Sequence, residues 1–227
     1  MEMFTGLIQQ VCSVKTLSKS GGVAALIVDL GQLASQVKIG DSISINGVCL
    51  TVSKLVGGLA TFDLSGETIE KTTLGKLAAG AKVDQKVNIE LAMRADERFG
   101  GHFVLGHVDG VATIRRIEKK AGSTSSPQAD FATITFAAQK DLLDLMIPKG
   151  SVAVDGISLT IAEMDNDSFT VALIPQTLKE TTLGAAKIGQ KINIETDIIT
   201  KSVKKHLESL GLAKGQLTID KLKEMGF

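Results

Sequence analysis

Through most of the chain apolar positions alternate with polar ones, which is the period of a strand and not of a helix. "SISINGVCLTV" (Ser42 to Val52), "LATFDL" and "KVNIEL" carry this pattern in the first half, and "ATITFA", "SVAVDGISLTI" and "SFTVALI" carry it in the second. Short β-branched runs broken by Gly, Asn and Asp predict antiparallel strands, and hence an all-β barrel or sandwich. Small helices are expected over "ETIEKTTL" and "QTLKETTL". From Ile198 to Leu210 the period changes: Val203, Leu207 and Leu210 share one face with lysines opposite, predicting an amphipathic C-terminal helix. Its apolar stripe must pack either on its own domain or on another subunit.

The pattern is written twice. "NGVCLTV" matches "DGISLTI" at an offset of 109, from Gly47 to Gly156, and "ETIEKTTLG" matches "QTLKETTLG" at the same offset. "QKVNIE" matches "QKINIE" at 105, from Gln85 to Gln190, as a loop four residues shorter in the second copy would produce. A solenoid closes its core with three or more short units, whereas two units of about 100 residues can each fold alone. The expected organisation is therefore a duplication, with domains at 1–101 and 102–197 joined near Glu97 to Phe103, followed by a helix and tail at 198–227.

Asn-Gly and Asp-Gly between alternating runs are strong signals of a two-residue type I′ hairpin, because both central residues need positive φ. The turn at Asn46 and Gly47 places Ile45 opposite Val48, Ser44 opposite Cys49, Ile43 opposite Leu50 and Ser42 opposite Thr51. Ile43, Ile45, Val48, Leu50 and Val52 then share the core face, while Ser42, Ser44, Cys49 and Thr51 share the other. The second copy sorts alike, with Ser151, Ala153, Ser158 and Thr160 on the polar face. Cys49 thus keeps company with hydroxyls, and two such faces suggest two related small-molecule sites.

Charge and composition narrow the classes. Lys plus Arg equals Asp plus Glu at 25 each, so no global field draws the chain to nucleic acid or an anionic membrane. Trp and Tyr are absent, which argues against a stacking platform for single strands. No stretch approaches the roughly 20 apolar residues that span a bilayer, and the start lacks a signal-peptide pattern, so a cytoplasmic protein is expected. The two cysteines, Cys12 and Cys49, have no metal-like spacing. "GGHFVLGHVDG" (Gly100 to Gly110) holds two of three His, five apart and without acidic or Cys ligands at ligand spacing, so no metal is expected. Dinucleotide and P-loop fingerprints are absent as well. His107 reads either as a packed strand histidine or as a proton carrier.

"MFTGLI", "NGVCLTV", "GGHFVLGHVDG", "VDGISLTI", "IPQTLKETTLG" and "INIETD", in this order across a duplicated chain, resemble the riboflavin synthase family from about Met3 to Leu210. The resemblance implies two six-stranded Greek-key barrels, a C-terminal helix that assembles a homotrimer, and no cofactor. It also leaves room for association with lumazine synthase. The implied reaction is a dismutation of two 6,7-dimethyl-8-ribityllumazine molecules, both held in one active site between the N-terminal barrel of one subunit and the C-terminal barrel of its neighbour. By the resemblance, Gly6, Leu7, Ile8, Cys49, Leu50, Thr51, Asp63, Leu64, Ser65, Gly66, Glu67 and Thr68 form the first ligand site. Gly106, His107, Val108, Lys149, Ser158, Leu159, Thr160, Leu173, Ile174, Pro175, Gln176, Thr177 and Leu178 form the second. Ser42, Cys49, His107, Thr160 and Asp197 match positions implied to take part in chemistry, although Asp197 reads equally well as the N-cap of the C-terminal helix.

The sequence departs from the pattern at Glu2 ahead of "MFTG", at Ser65 and Gly66 where a bulkier pair is expected, and in the tail "GLAKGQLTIDKLKEMGF", where Thr218 reads as the cap of a further short helix. The rival class is a noncatalytic lumazine- or flavin-binding antenna of the same fold. Retention of Cys49, His107, Ser158, Thr160 and Asp197 favours the enzyme.

Overall fold

The computed structural model describes residues 3–20, 23–77, 85–120 and 131–209. Glu2, Leu210, the tail and Thr218 lie outside them. The first half contains β1 (Gln10–Ser20), β2 (Val23–Asp29), β3 (Ser42–Ile45), β4 (Val48–Val56), β5 (Leu59–Leu64), α1 (Gly66–Lys71) and β6 (Lys86–Leu91). The second contains β7 (Gly110–Lys120), β8 (Phe131–Ala137), α2 (Lys140–Leu143), β9 (Ser151–Val154), β10 (Ile157–Met164), β11 (Ser168–Leu173), α3 (Pro175–Glu180) and β12 (Lys191–Thr196), and α4 (Ile198–Ser209) follows. Each half closes into an antiparallel Greek-key barrel: β1-β2-β5-β4-β3-β6 in the first, and β7-β8-β11-β10-β9-β12 around the second. The duplication is therefore a duplication of fold, strand for strand.

Both hairpins form in the expected register, Ser42↔Thr51 through Ile45↔Val48 in one and Ser151↔Thr160 through Val154↔Ile157 in the other. Asn46 and Gly47 have φ of 48° and 76°, and Asp155 and Gly156 have 45° and 79°, as the I′ turn demands. Their inward residues join two separate cores, one around Leu17, Leu26, Ile43, Phe62 and Ile89, the other around Ile134, Phe136, Val154, Phe169 and Ile194. In the second core Phe136 and Phe169 stack with ring centroids 5.1 Å apart.

A seam with approximate twofold exchange joins the barrels. Phe4 and Val104 exchange both backbone hydrogen bonds, at 2.8 and 3.2 Å. The two hairpin turns meet back to back, so close that a Cβ on Gly47 would lie 2.7 Å from the Gly156 nitrogen, and the reverse holds too. Asn88 donates its side-chain amide to the Asp155 carbonyl while Asn193 donates to the Asn46 carbonyl, both at 2.9 Å. The amide oxygens of the same two residues accept the Thr182 and Thr73 backbone N–H groups. Each asparagine is thus satisfied at both ends, as a buried amide must be.

The apolar stripe of α4 does not dock on its own barrels. Ile199, Val203 and Leu207 remain 54%, 54% and 43% exposed, although Lys201 ties the helix to the second barrel through Asp109 at 2.9 Å. Asp197 does cap this helix, its carboxylate accepting the Ile199 N–H at 2.9 Å.

Candidate functional site

The polar face of each hairpin is not open along its whole length. Near the turns it is buried in the seam, where Ser44 and Ala153 are 1% exposed and Phe4, Val104 and Ala153 form a small third core. Farther out Thr51 and Thr160 are exposed, and Cys49 and Ser158 sit half-buried at the border between the two. These four positions, with the mouths of the adjoining short helices, are the parts of the repeated hairpin that a ligand can reach.

Two glycine segments lie against that border, and they are crossed. Gly106 accepts the Cys49 N–H at 2.9 Å, whereas Gly6 accepts the Ser158 N–H at 2.8 Å. Val108 packs against the core of the first barrel and Ile8 against that of the second. The grouping expected from the sequence is therefore reversed in space: Gly106, His107 and Val108 belong beside Cys49, and Gly6, Leu7 and Ile8 beside Ser158. The reason is the Phe4–Val104 bridge, which carries each segment across the seam before it joins the first strand of its own barrel.

Two buried carboxylates hold these segments in place. Glu90 of β6 accepts the Thr5 N–H at 2.6 Å, the Thr5 hydroxyl at 2.7 Å and the Gly6 N–H at 2.9 Å. Glu195 of β12 accepts the Leu105, Gly106 and His107 N–H groups at 2.7, 2.9 and 3.0 Å. Burial pushes the Glu195 carboxyl up to about 7 and raises Glu90 as well, with the backbone donors pulling the other way. Leu7 and His107, at equivalent places, are both exposed, and the loop that carries His107 is no strand. Neither glutamate stands among the residues expected from the sequence. The signal was available: within "KVNIEL" and "INIETD", alternation puts a repeated acid on a strand that is otherwise buried.

The remaining expected residues divide by exposure. Ser42 is 8% exposed and lines a cleft of about 650 Å³ with Gln9, Val37, Lys38, Asp41, Leu91, Ala92, Arg94 and Glu97, a volume in the usual range for ligand pockets. Leu50, Leu64 and Leu173 have side chains buried in the barrel cores, so only their backbones can meet a ligand. Leu159 and Leu178 pack against the second core while remaining partly accessible. Asp63, Gly66, Glu67, Ile174 and Gln176 are exposed, and Thr68, Pro175 and Thr177 are half-buried. Ser65, anomalous in the sequence, is the N-cap of α1 and accepts the Thr68 N–H at 3.1 Å. Cys12 is buried and its thiol is pushed up to about 11, mainly by that burial, leaving it unreactive.

Lys149 stands apart. It has φ +66° and donates its ammonium to the Ala162 carbonyl at 2.8 Å, while its counterpart in the first copy is Gly40 at φ +94°. A lysine kept where a glycine is comfortable is stored strain of the kind found at functional sites. Lys149→Gly is expected to raise stability by about 1 kcal/mol and to weaken ligand binding on the second barrel. Chemical denaturation paired with ligand titration checks both, and a destabilised variant would refute the strain.

The fold is a duplicated antiparallel barrel of the lumazine-binding class: the lumazine binding domain family matches residues 5–92 and 105–197, one match per barrel. Riboflavin synthase of Bacillus subtilis is 40% identical over 227 residues, and that of Actinobacillus pleuropneumoniae 39%, each comparison covering 99% of this chain and 100% of the relative. The chain belongs to the riboflavin synthase family. Among solved structures, LumP complexed with 6,7-dimethyl-8-(1'-D-ribityl) lumazine superposes with a TM-score of 0.73 at 25% identity, covering 86% of this chain and 99% of that one.

Proposed function

We propose that the protein is a transferase that converts two molecules of 6,7-dimethyl-8-ribityllumazine into riboflavin and 5-amino-6-ribitylamino-2,4-pyrimidinedione by moving a four-carbon unit from one to the other. The observation that carries this reading is the pair of equivalent cradles in a chain related to riboflavin synthases over its whole length. A reaction between two copies of one substrate needs two similar sites, and alignment of bound reactants can lower a barrier by roughly 7 to 11 kcal/mol. The donor lumazine loses a proton from its C7 methyl group, and the acceptor is made electrophilic by addition at its own C7. Cys49, or a water aligned by Ser42, suits the addition, and the exposed ring of His107 suits the proton transfer.

The reaction joins the cradle of an N-terminal barrel to that of a C-terminal barrel in a neighbouring subunit of a homotrimer in the cytoplasm. The exposed stripe of Ile199, Val203 and Leu207 supports α4 as the assembly element. Glutamates at Val203 and Leu207 together are expected to convert the trimer to monomer with the barrels intact. Light scattering reads the mass, and an unchanged one removes α4 from the interface.

The LumP complexes favour a second reading, a binder without turnover. Identity of 39–40% to riboflavin synthases against 25–27% to LumP weighs for the enzyme. Incubation of the pure protein with 6,7-dimethyl-8-ribityllumazine alone decides: riboflavin should accumulate, and binding without riboflavin leaves the antenna.

A further inference from the structure

His102 breaks the symmetry of the seam. With Gly106 set against Gly6, its counterpart in the first copy is Glu2, so the second cradle holds an imidazole that the duplication does not repeat. His102 is 7% exposed, its Nδ1 lies 2.7 Å from Ser158 Oγ, and its Nε2 has no hydrogen-bond partner among the described residues. The backbone fixes it as well, the His102 N–H donating to the Thr5 carbonyl at 3.2 Å. Burial drives the imidazole toward its neutral form, with the Asp197 charge acting weakly the other way.

A neutral imidazole carries one N–H, and its position follows from what each choice leaves buried. A proton on Nε2 would leave a buried N–H without an acceptor, the rarest kind of orphan in folded proteins. A proton on Nδ1 is shared with Ser158 Oγ and leaves only a lone pair bare. Among the described residues no other side chain bonds the Ser158 hydroxyl. With Oγ already accepting from His102, the serine O–H must point elsewhere, on the half-exposed side of β10.

We propose that His102 is a positioning residue that donates Nδ1–H to Ser158 Oγ and thereby fixes the serine hydroxyl as a hydrogen-bond donor toward a carbonyl or ring nitrogen of the heterocycle bound on the second barrel. This rests on the reading that each barrel binds a lumazine. It also gives the Cys49–Ser158 difference a physical consequence: a thiol is a weak donor, whereas an oriented hydroxyl is a full one. The two cradles therefore grip the same molecule unequally.

Nitrogen-15 NMR of the full-length, histidine-labelled protein without ligand should show His102 protonated at Nδ1 and bare at Nε2, with His102→Asn supplying the assignment. An Nε2–H tautomer overturns the proposal. Calorimetric titration with riboflavin then reads the role. His102→Ala should weaken one of two sites per chain about tenfold, the loss of one oriented hydrogen bond. His102→Asn, which keeps an N–H near the place of Nδ1, should stay within about threefold. In a Ser158→Ala background His102→Ala should add nothing, and additive losses overturn the proposal while leaving the lumazine reading intact. A wild-type chain that binds neither riboflavin nor 6,7-dimethyl-8-ribityllumazine removes the lumazine reading itself, and the role of His102 with it.

Discussion

Gly106→Ala should reduce turnover at least about a hundredfold and cost about 3 kcal/mol of stability. A Cβ at this position would stand 2.4 Å from Cys49 Cβ and 2.7 Å from Cys49 N, on a backbone whose φ is +76°. Residue 106 cannot step back, because its carbonyl accepts the Cys49 N–H and its own N–H is held by Glu195. Relief must come from β4 or from the segment that carries His107, and either movement displaces groups of the first cradle. Gly189→Ala is the control, since its φ is +86° but nothing lies within 4 Å of the added carbon. That variant should show conformational strain alone, about 1 kcal/mol, with turnover unchanged. Thermal unfolding and steady-state rates of the pair test the argument. A Gly106→Ala protein as stable and active as Gly189→Ala would show that the close approach to Cys49 is not required.

What could be read from the sequence was whatever short-range physics decides. Asn-Gly and Asp-Gly force a turn type, the turn type forces the register, and the register sorted all eight paired positions of each hairpin onto the faces they occupy. The strands β1 and β7 escaped the same reasoning for a definite reason. Each carries a bulge, between Val14 and Thr16 in one and between Ile114 and Arg116 in the other. An extra residue reverses the inward and outward alternation, so Cys12 and Val14 point inward but the next core residue is Leu17, not Thr16. Period-two counting loses the strand at that point. The residues that face the border of each hairpin were legible in the sequence, but which segment lies beside which hairpin was not. Nothing local says that Gly6 serves the second barrel and Gly106 the first, because the crossing is made by a single bridge at Phe4 and Val104. His102 lies outside the matched blocks, and its counterpart Glu2 shares no chemistry with it, so the repeat does not mark it.

Several differences between the copies fall at the repeated hairpins and the segments beside them: Cys49 against Ser158, Leu7 against His107, Gly40 against Lys149, Ala92 against Asp197 and Asn46 against Asp155. The inward positions instead keep their apolar character, for instance Ile43, Ile45 and Leu50 against Val152, Val154 and Leu159. A core tolerates only swaps of similar size and polarity, whereas a pair of sites with unequal tasks gains from divergence.

The last of those differences carries a stability prediction of its own. Asp155 is 2% exposed, and its carboxylate accepts the Asn193 N–H at 2.8 Å, just as the Asn46 amide oxygen accepts the Asn88 N–H at 2.7 Å in the first copy. The geometry is the same, but one copy buries an amide and the other an acid. Burial raises the Asp155 carboxyl from 3.8 to about 7, against the downward pull of the Asn193 donor. Its folded value lies above the unfolded one, so the native state holds the proton more tightly and stability declines as pH rises from about 4 to about 7. The full penalty, about 4 kcal/mol as an upper figure, applies above pH 7 and vanishes below pH 4. Glu195 and Glu90, both also raised, tilt the wild-type curve in the same direction. The difference between wild type and Asp155→Asn isolates the one group. Asp155→Asn should match the wild type near pH 4 and exceed it progressively up to pH 8, where the gain is largest. Asn46 shows that the turn and its neighbours accept an amide at φ near +48°. Denaturant midpoints across this range measure the gap, and parallel curves for the two proteins would mean that the Asp155 carboxyl is not raised in the fold.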